Sequence, residues 1–172
     1  MTEQSFPAAA FADVLRGNQA YATGFDGTGL TGVAAQGLAI LTCMDSRLDP
    51  LAIVGMGKGD VKILRNAGAR VTEDVLRTLV LAAYLLGVDR VLVMPHTNCK
   101  MASATEPEIH AAILASHGVD TRSLEFRTSI DQDAALAHDL IRIRSYPLLP
   151  QGLVVAGAVY DVATGRLVVR DL

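Results

Sequence analysis

The sequence predicts an α/β fold: a mostly parallel four-stranded sheet flanked by helices, with an antiparallel fifth strand at the C-terminal end. Three observations carry this. Short apolar runs suited to buried strands, at 37–43, 61–64, 90–94 and 153–160, alternate with segments of helical periodicity. The last of these runs is followed, after a turn at Ala163, Thr164 and Gly165, by another at 166–170. That gap is too short for a crossover, so the fifth strand is expected to pair antiparallel with the fourth. Finally, no repeat, low-complexity stretch or long linker divides the 172 residues, so 1–172 reads as a single domain.

The elements follow in order. Phe11, Val14, Leu15 and Asn18 stand at helical spacing, which predicts an N-terminal helix over about 5–22. GFDGTG, at 24–29, ends it as a loop. GLAILTC, at 37–43, is the first strand, and 61–64 the second. NAGAR, at 66–70, is a turn. Thr72 then caps a helix that carries Glu73 and Asp74 in its first turn and stops at Gly87. RVLVM is the third strand. A helix is expected over 101–117, with a break or a fresh start at Pro107. Another runs over 131–144, and SYPLLP links it to the fourth strand.

Composition narrows the function classes. Hydrophobic residues make up 51% and charged residues 19%, the balance of a globular chain. A chain of this size can bury roughly 70% of its unfolded surface and needs no staples. The net charge of −3 and the absence of Trp argue against nucleic acid and anionic membranes as partners. No apolar run approaches the ~18 residues of a spanning helix. The N-terminal stretch lacks the basic start and apolar centre of a signal peptide, so a cytoplasmic location is expected.

The chain holds two cysteines, and both stand where an α/β sheet gathers functional groups, beyond the carboxyl ends of strands. Cys43 ends the first strand. His96 and Cys99 follow the third, three residues apart. Each has an ordinary account alone, since a buried Cys is usually a small hydrophobe. Together, two thiolates and an imidazole suit Zn²⁺, one per chain, and three protein ligands leave the open position of a catalytic site. Asp45 and Arg47 lie two residues apart and point the same way in an extended chain, so they can pair bidentately. Asp45 could then either close the site on the metal or be held off it by Arg47. Asp49 before Pro50 reads as a turn or cap residue.

CMDSRLDP, RNAGAR and HTNCKM, in this order and at these separations, resemble the β-class carbonic anhydrases, in particular small bacterial and archaeal members. The resemblance runs from about residue 36 to 160. It implies zinc-dependent reversible hydration of CO2 to bicarbonate and a proton through a zinc-bound hydroxide. Cys43, His96 and Cys99 match the family's zinc ligands, and Asp45 and Arg47 its catalytic pair. Asn66, Ala67 and Gly68 match a loop near the site. The resemblance also implies a homodimer or dimer of dimers, with the N-terminal helix lying across the partner. Alternatives on the same site are CS2 or COS hydrolysis, or a catalytically silent zinc-stabilised dimer.

Two departures stand out. Lys100 occupies the position of the family's usual glycine after the second zinc cysteine, either as a solvated Lys at a helix start or as a cation beside the pocket. Asn98 replaces the family's usual acid. The glutamine that larger members supply has no match here, Gln36 being two positions out of register. The sequence does not name a proton carrier: His110, His117 and His138 are candidates, each also readable as a plain surface or helix residue.

Overall fold

The computed structural model describes residues 6–27 and 29–172. It divides into two compact units, up to Thr31 and from Gly32 onward. In the first unit a short 3₁₀ turn, Ala8–Phe11, leads into α1, Ala12–Thr23. No residue of α1 is buried. The expected start of this helix at Ser5, and Thr28 of the expected loop, lie outside the described residues.

The second unit is built on five strands: β1 (Leu38–Cys43), β2 (Val61–Asn66), β3 (Arg90–Met94), β4 (Val154–Tyr160) and β5 (Leu167–Arg170). Their order is β2-β1-β3-β4-β5. The first four are parallel, and β5 runs antiparallel to β4. The helices are α2 (Pro50–Ile53), α3 (Glu73–Leu85), α4 (Glu106–His117) and α5 (Gln132–Arg144).

β1 is buried along its whole length because it lies between two parallel neighbours with elements on both faces. Its side chains alternate. Ala39 and Leu41 join the larger core with Leu79, Val91, Val93, Leu136, Leu140 and Ile143. Leu38 and Ile40 pack with Met94 on the other face. Thr42, buried in this apolar setting, donates to the Met94 carbonyl at 2.7 Å and so satisfies its hydroxyl.

Thr72 acts as the expected cap, accepting from the Val75 amide. Two further caps were not anticipated: Asp131 accepts from the Ala134 amide, and Thr105 and Glu108 form a reciprocal capping box at the start of α4. Pro107 therefore sits in a first turn, where its missing N–H costs nothing. The helical stretch expected over 101–117 is divided, as the expected fresh start at Pro107 implied, into a 3₁₀ turn at Lys100–Ala102 and α4, which begins one residue before Pro107. β2 runs two residues further than expected, because Arg65 and Asn66 continue the ladder to pair with Thr42 and Cys43. α2 went unanticipated as a helix, although Asp49 caps it as predicted, accepting from the Ala52 amide. Among the described residues no helix is long and apolar enough to cross a membrane.

Candidate metal centre

The ladder register decides where the site forms. Cys43 is level with Asn66 on β2, and Thr42 with Met94 on β3. The chain after each strand therefore emerges at the same end of the sheet. Cys43 and Cys99 are 5% exposed and His96 is fully buried. Their sulfur atoms lie 3.9 Å apart, and one ligand atom from each of the three residues falls within 4.8 Å of the others.

This arrangement fits a metal. Two sulfurs each about 2.3 Å from one tetrahedral ion stand about 3.8 Å apart. His96 Nδ1 lies 2.9 Å from the Thr97 carbonyl, which can only accept, so Nδ1 carries the proton and Nε2 the lone pair. That Nε2 is buried with no hydrogen-bond partner, the one such side-chain atom among the described residues. A buried acceptor without a partner costs about 1–3 kcal/mol unless something fills the position, and a bound cation would. Burial pushes the Cys99 thiol up, with the nearby Cys43 adding to the shift. A metal ion reverses that by binding the thiolate. The Gly68 amide points at the Cys43 sulfur, 3.4 Å away.

Asp45 and Arg47 pair as their spacing suggested. Arg47 Nε donates to Oδ1 at 2.8 Å and Nη2 to Oδ2 at 2.7 Å, while the Arg47 amide also donates to Oδ1 at 3.0 Å. These bonds from the Arg47 side chain and amide hold the Asp45 carboxyl far below the usual carboxylate range. Asp45 in turn raises the Arg47 guanidinium. Asp45 Oδ2 stands 3.7 Å from His96 Nε2, too far for a hydrogen bond and at the rim of the ligand group. Arg47 Nη2 also donates to the Asn98 carbonyl at 3.1 Å. Asn98 takes a left-handed conformation, φ 55°, which Asn tolerates better than most residues. Its side-chain departure from the family pattern therefore coincides with a backbone role.

The RNAGAR turn is held from within. Asn66 accepts from the Arg70 amide and donates to the Arg70 carbonyl, so its side chain closes the loop. Gly68 has φ 79°, and a Cβ there would lie 3.1 Å from the Met101 Cβ. Ala67 packs against the apolar cluster of Cys43, Leu48, Cys99 and Met101. Lys100 is exposed at the start of its 3₁₀ turn. Gln36 lies at the amino end of β1, the end away from Cys43. Its carbonyl accepts from Arg90.

Sequence reasoning missed several residues here. Arg65 donates to the carbonyls of Cys43 and Asp45, clamping the segment that carries both. Gln132 donates to the His96 carbonyl across 36 residues. Nothing in periodicity marks either one. Of the histidines, His110 contacts Thr121 and lies 3.7 Å from Glu106, while His138 is exposed beside Asp139.

The family model described as carbonic anhydrase matches residues 38–167, which span β1 to β4, reach the first residue of β5 and include every residue of this centre. The chain belongs to the β-carbonic anhydrase family. It is 36% identical over 156 residues to beta-carbonic anhydrase 1 of Mycobacterium tuberculosis, covering 90% of this chain and 94% of that one. A carbonic anhydrase from Streptococcus mutans, known from its crystal structure, superposes with a TM-score of 0.86 at 34% identity. That match covers 95% of this chain and 98% of the other. A carbon disulfide hydrolase of Acidithiobacillus thiooxidans is 30% identical over 151 residues, covering 76% of this chain and 75% of that one. Among β-carbonic anhydrase relatives, then, the same framework is associated with two small-molecule chemistries.

Proposed function

We propose that the protein is a zinc enzyme that interconverts CO2 and bicarbonate, with Cys43, Cys99 and His96 Nε2 as the ligands. The single observation that carries this is the buried, partnerless His96 Nε2 facing two thiols at tetrahedral spacing. Zinc held by this set supplies an open position at which water is acidified, from a pKa of ~15.7 to about 7.

The chain's residues do the rest. Arg47 occupies both oxygens of Asp45 and so keeps that carboxylate off the ligand group. Held there and ionised, Asp45 accepts a hydrogen bond from the reacting water and aims its remaining lone pair at CO2. Arg65 fixes the backbone on either side of Met44 and so sets the distance from Cys43 to Asp45. Leu48, Met101 and Phe126 line the cluster and keep bulk water from the thiols. Asn66, Ala67 and Gly68 shape the pocket wall, and Lys100 supplies a positive charge next to it. The silent-dimer reading, which needs Asp45 on the metal, is disfavoured by the Asp45–Arg47 pair.

The active form is a homodimer. Support comes from the N-terminal segment, where Phe11, just before α1, and Val14 and Leu15 of α1 are exposed apolar residues that a second copy of the chain would bury. A thiol-ligated centre suits a reducing compartment, which supports a cytoplasmic location.

The relative named carbon disulfide hydrolase gives a second substrate to test. Stopped-flow assays of CO2 hydration and CS2 hydrolysis, run between pH 6 and 9 with metal content measured on the same sample, decide between them. The reading expects one zinc per chain and CO2 turnover. Zinc-loaded protein that turns over only CS2 would move it to the second activity. Cys43→Ala is expected to lose zinc, and Asp45→Ala to keep zinc while losing roughly 10²–10⁴-fold in rate.

A further inference from the structure

We propose that Thr97 and Asp161 are positioning residues of the metal centre, acting together through the Thr97 carbonyl on the His96 imidazole. The inference rests on the reading of Cys43, His96 and Cys99 as ligands, and it brings the turn between β4 and β5 into the outer shell of that centre.

His96 reaches the ligand group with Nε2 only while Nδ1–H has an acceptor to hold the ring in plane. That acceptor is the carbonyl of the next residue, Thr97, at 2.9 Å. The direction of this carbonyl is not a default of the local chain. The residue after it, Asn98, is left-handed, and the segment is neither helix nor strand. What fixes it comes from across the sheet. The Thr97 amide donates to the Tyr160 carbonyl at 2.9 Å, and the Tyr160 amide donates to the Pro95 carbonyl at 2.8 Å. These backbone bonds leave the Thr97 side chain to lock the second half of the residue.

The hydroxyl of Thr97 has one possible arrangement. The Val162 amide donates to it at 3.1 Å. Its own proton is then directed to Asp161 Oδ1, 3.3 Å away. Asp161 is held independently of Thr97, because Oδ1 also accepts from the Ala163 amide at 2.9 Å and Oδ2 from the Thr164 hydroxyl at 2.7 Å. A carboxylate anchored in its own turn thus holds a hydroxyl, whose residue presents the carbonyl that orients the imidazole. Such outer partners typically alter metal affinity by 10- to 100-fold when removed.

The competing account is that Asp161 only organises the turn before β5. The two accounts differ in what Thr164 does. Its bond to Asp161 belongs to the turn and leads nowhere toward His96.

Zinc affinity of the full-length chain, measured by competition with a chromophoric chelator, separates them. The absorption spectrum of the cobalt-substituted protein reports ligand geometry alongside. Thr97→Val and Asp161→Ala are each expected to bind zinc about 10- to 100-fold more weakly and to shift the cobalt bands. The double variant is expected to be no weaker than the worse single one, because both act along one path. Thr97→Ser, which keeps the hydroxyl, retains wild-type affinity, and Thr164→Val lowers only the melting temperature. Wild-type affinity in Thr97→Val, or a loss in Thr164→Val equal to that in Asp161→Ala, would overturn the proposal. Should Asp161→Ala not fold, the Thr97 pair decides alone. Failure of the wild-type chain to take up one zinc, or unchanged uptake by Cys43→Ala, overturns the ligand reading instead.

Discussion

At the scale of single residues, Asp45 and Arg47 teach the most, because their pairing is not peculiar to the site. Asp120 and Arg122 show the same pattern: the Arg amide donates to Oδ1 at 3.1 Å, Nε to Oδ1 at 2.9 Å and Nη2 to Oδ2 at 2.7 Å. Acid-x-Arg is a local device that closes on itself wherever the chain turns suitably. What distinguishes Asp45 is its neighbour, His96 Nε2 at 3.7 Å. Arg47→Ala should therefore lower turnover about 10- to 100-fold while zinc content stays at one per chain. Arg122→Ala removes an equivalent pair and should leave turnover unchanged. Equal losses in the two variants, by stopped-flow on protein of verified metal content, would contradict the assigned role of Arg47. Gly68→Ala should also be costly: it forces a side chain into φ 79° against Met101 and disturbs the amide that faces the Cys43 sulfur.

At the scale of elements, close approach of helix to sheet is set by a glycine. A Cβ on Gly157 in β4 would stand 3.0 Å from Leu140 and 3.1 Å from Leu136 of α5. Gly157→Ala is expected to cost about 1–3 kcal/mol by overpacking, read from urea unfolding midpoints. Gly152→Ala, with nothing within 4 Å, should change little. The β4–β5 turn carries a pH signature of its own. The Ala163 amide, then the Thr164 hydroxyl, with burial opposing and Thr97 adding, lower the Asp161 carboxyl. A depressed folded-state value contributes stability above the unfolded value of ~3.9, and that contribution is lost as pH falls through the folded one. Melting temperatures recorded from pH 5 down to 2.5 should consequently fall more steeply for the wild-type chain than for Asp161→Asn. Parallel slopes would refute this.

At the scale of the whole molecule, the prediction concerns assembly. Phe11, at the entry to α1, and Val14 and Leu15 along it lie exposed, and a homodimer would bury them. Leu15→Asp is expected to shift the molar mass seen by light scattering from dimer toward monomer. A variant that remains dimeric would show that the helix is not the contact. Much of this scale could be read in the chain beforehand. The alternation of short apolar runs with helical periodicity marked four parallel strands, and the tight turn at 163–165 marked the antiparallel fifth. These signals are local, because strand period, cap and turn chemistry each act within a few residues. The short helix α2 escaped because four residues carry no period.

The sequence by itself determined which groups could do chemistry. Two cysteines, a histidine three residues from one of them, and an acid-x-arginine pair stood at predicted strand ends, in motifs that resemble those of a known family. The resemblance singled out Asp45–Arg47, although Asp120–Arg122 has the same spacing. The sequence could not reveal Arg65, Gln132 or Asp161, whose partners lie 20 to 64 residues away. Only the tertiary structure decided those. The reason is physical: sheet register carries distant strand ends to one level, and a hydrogen bond's range of about 3 Å leaves no trace in sequence spacing once its partners come from different strands.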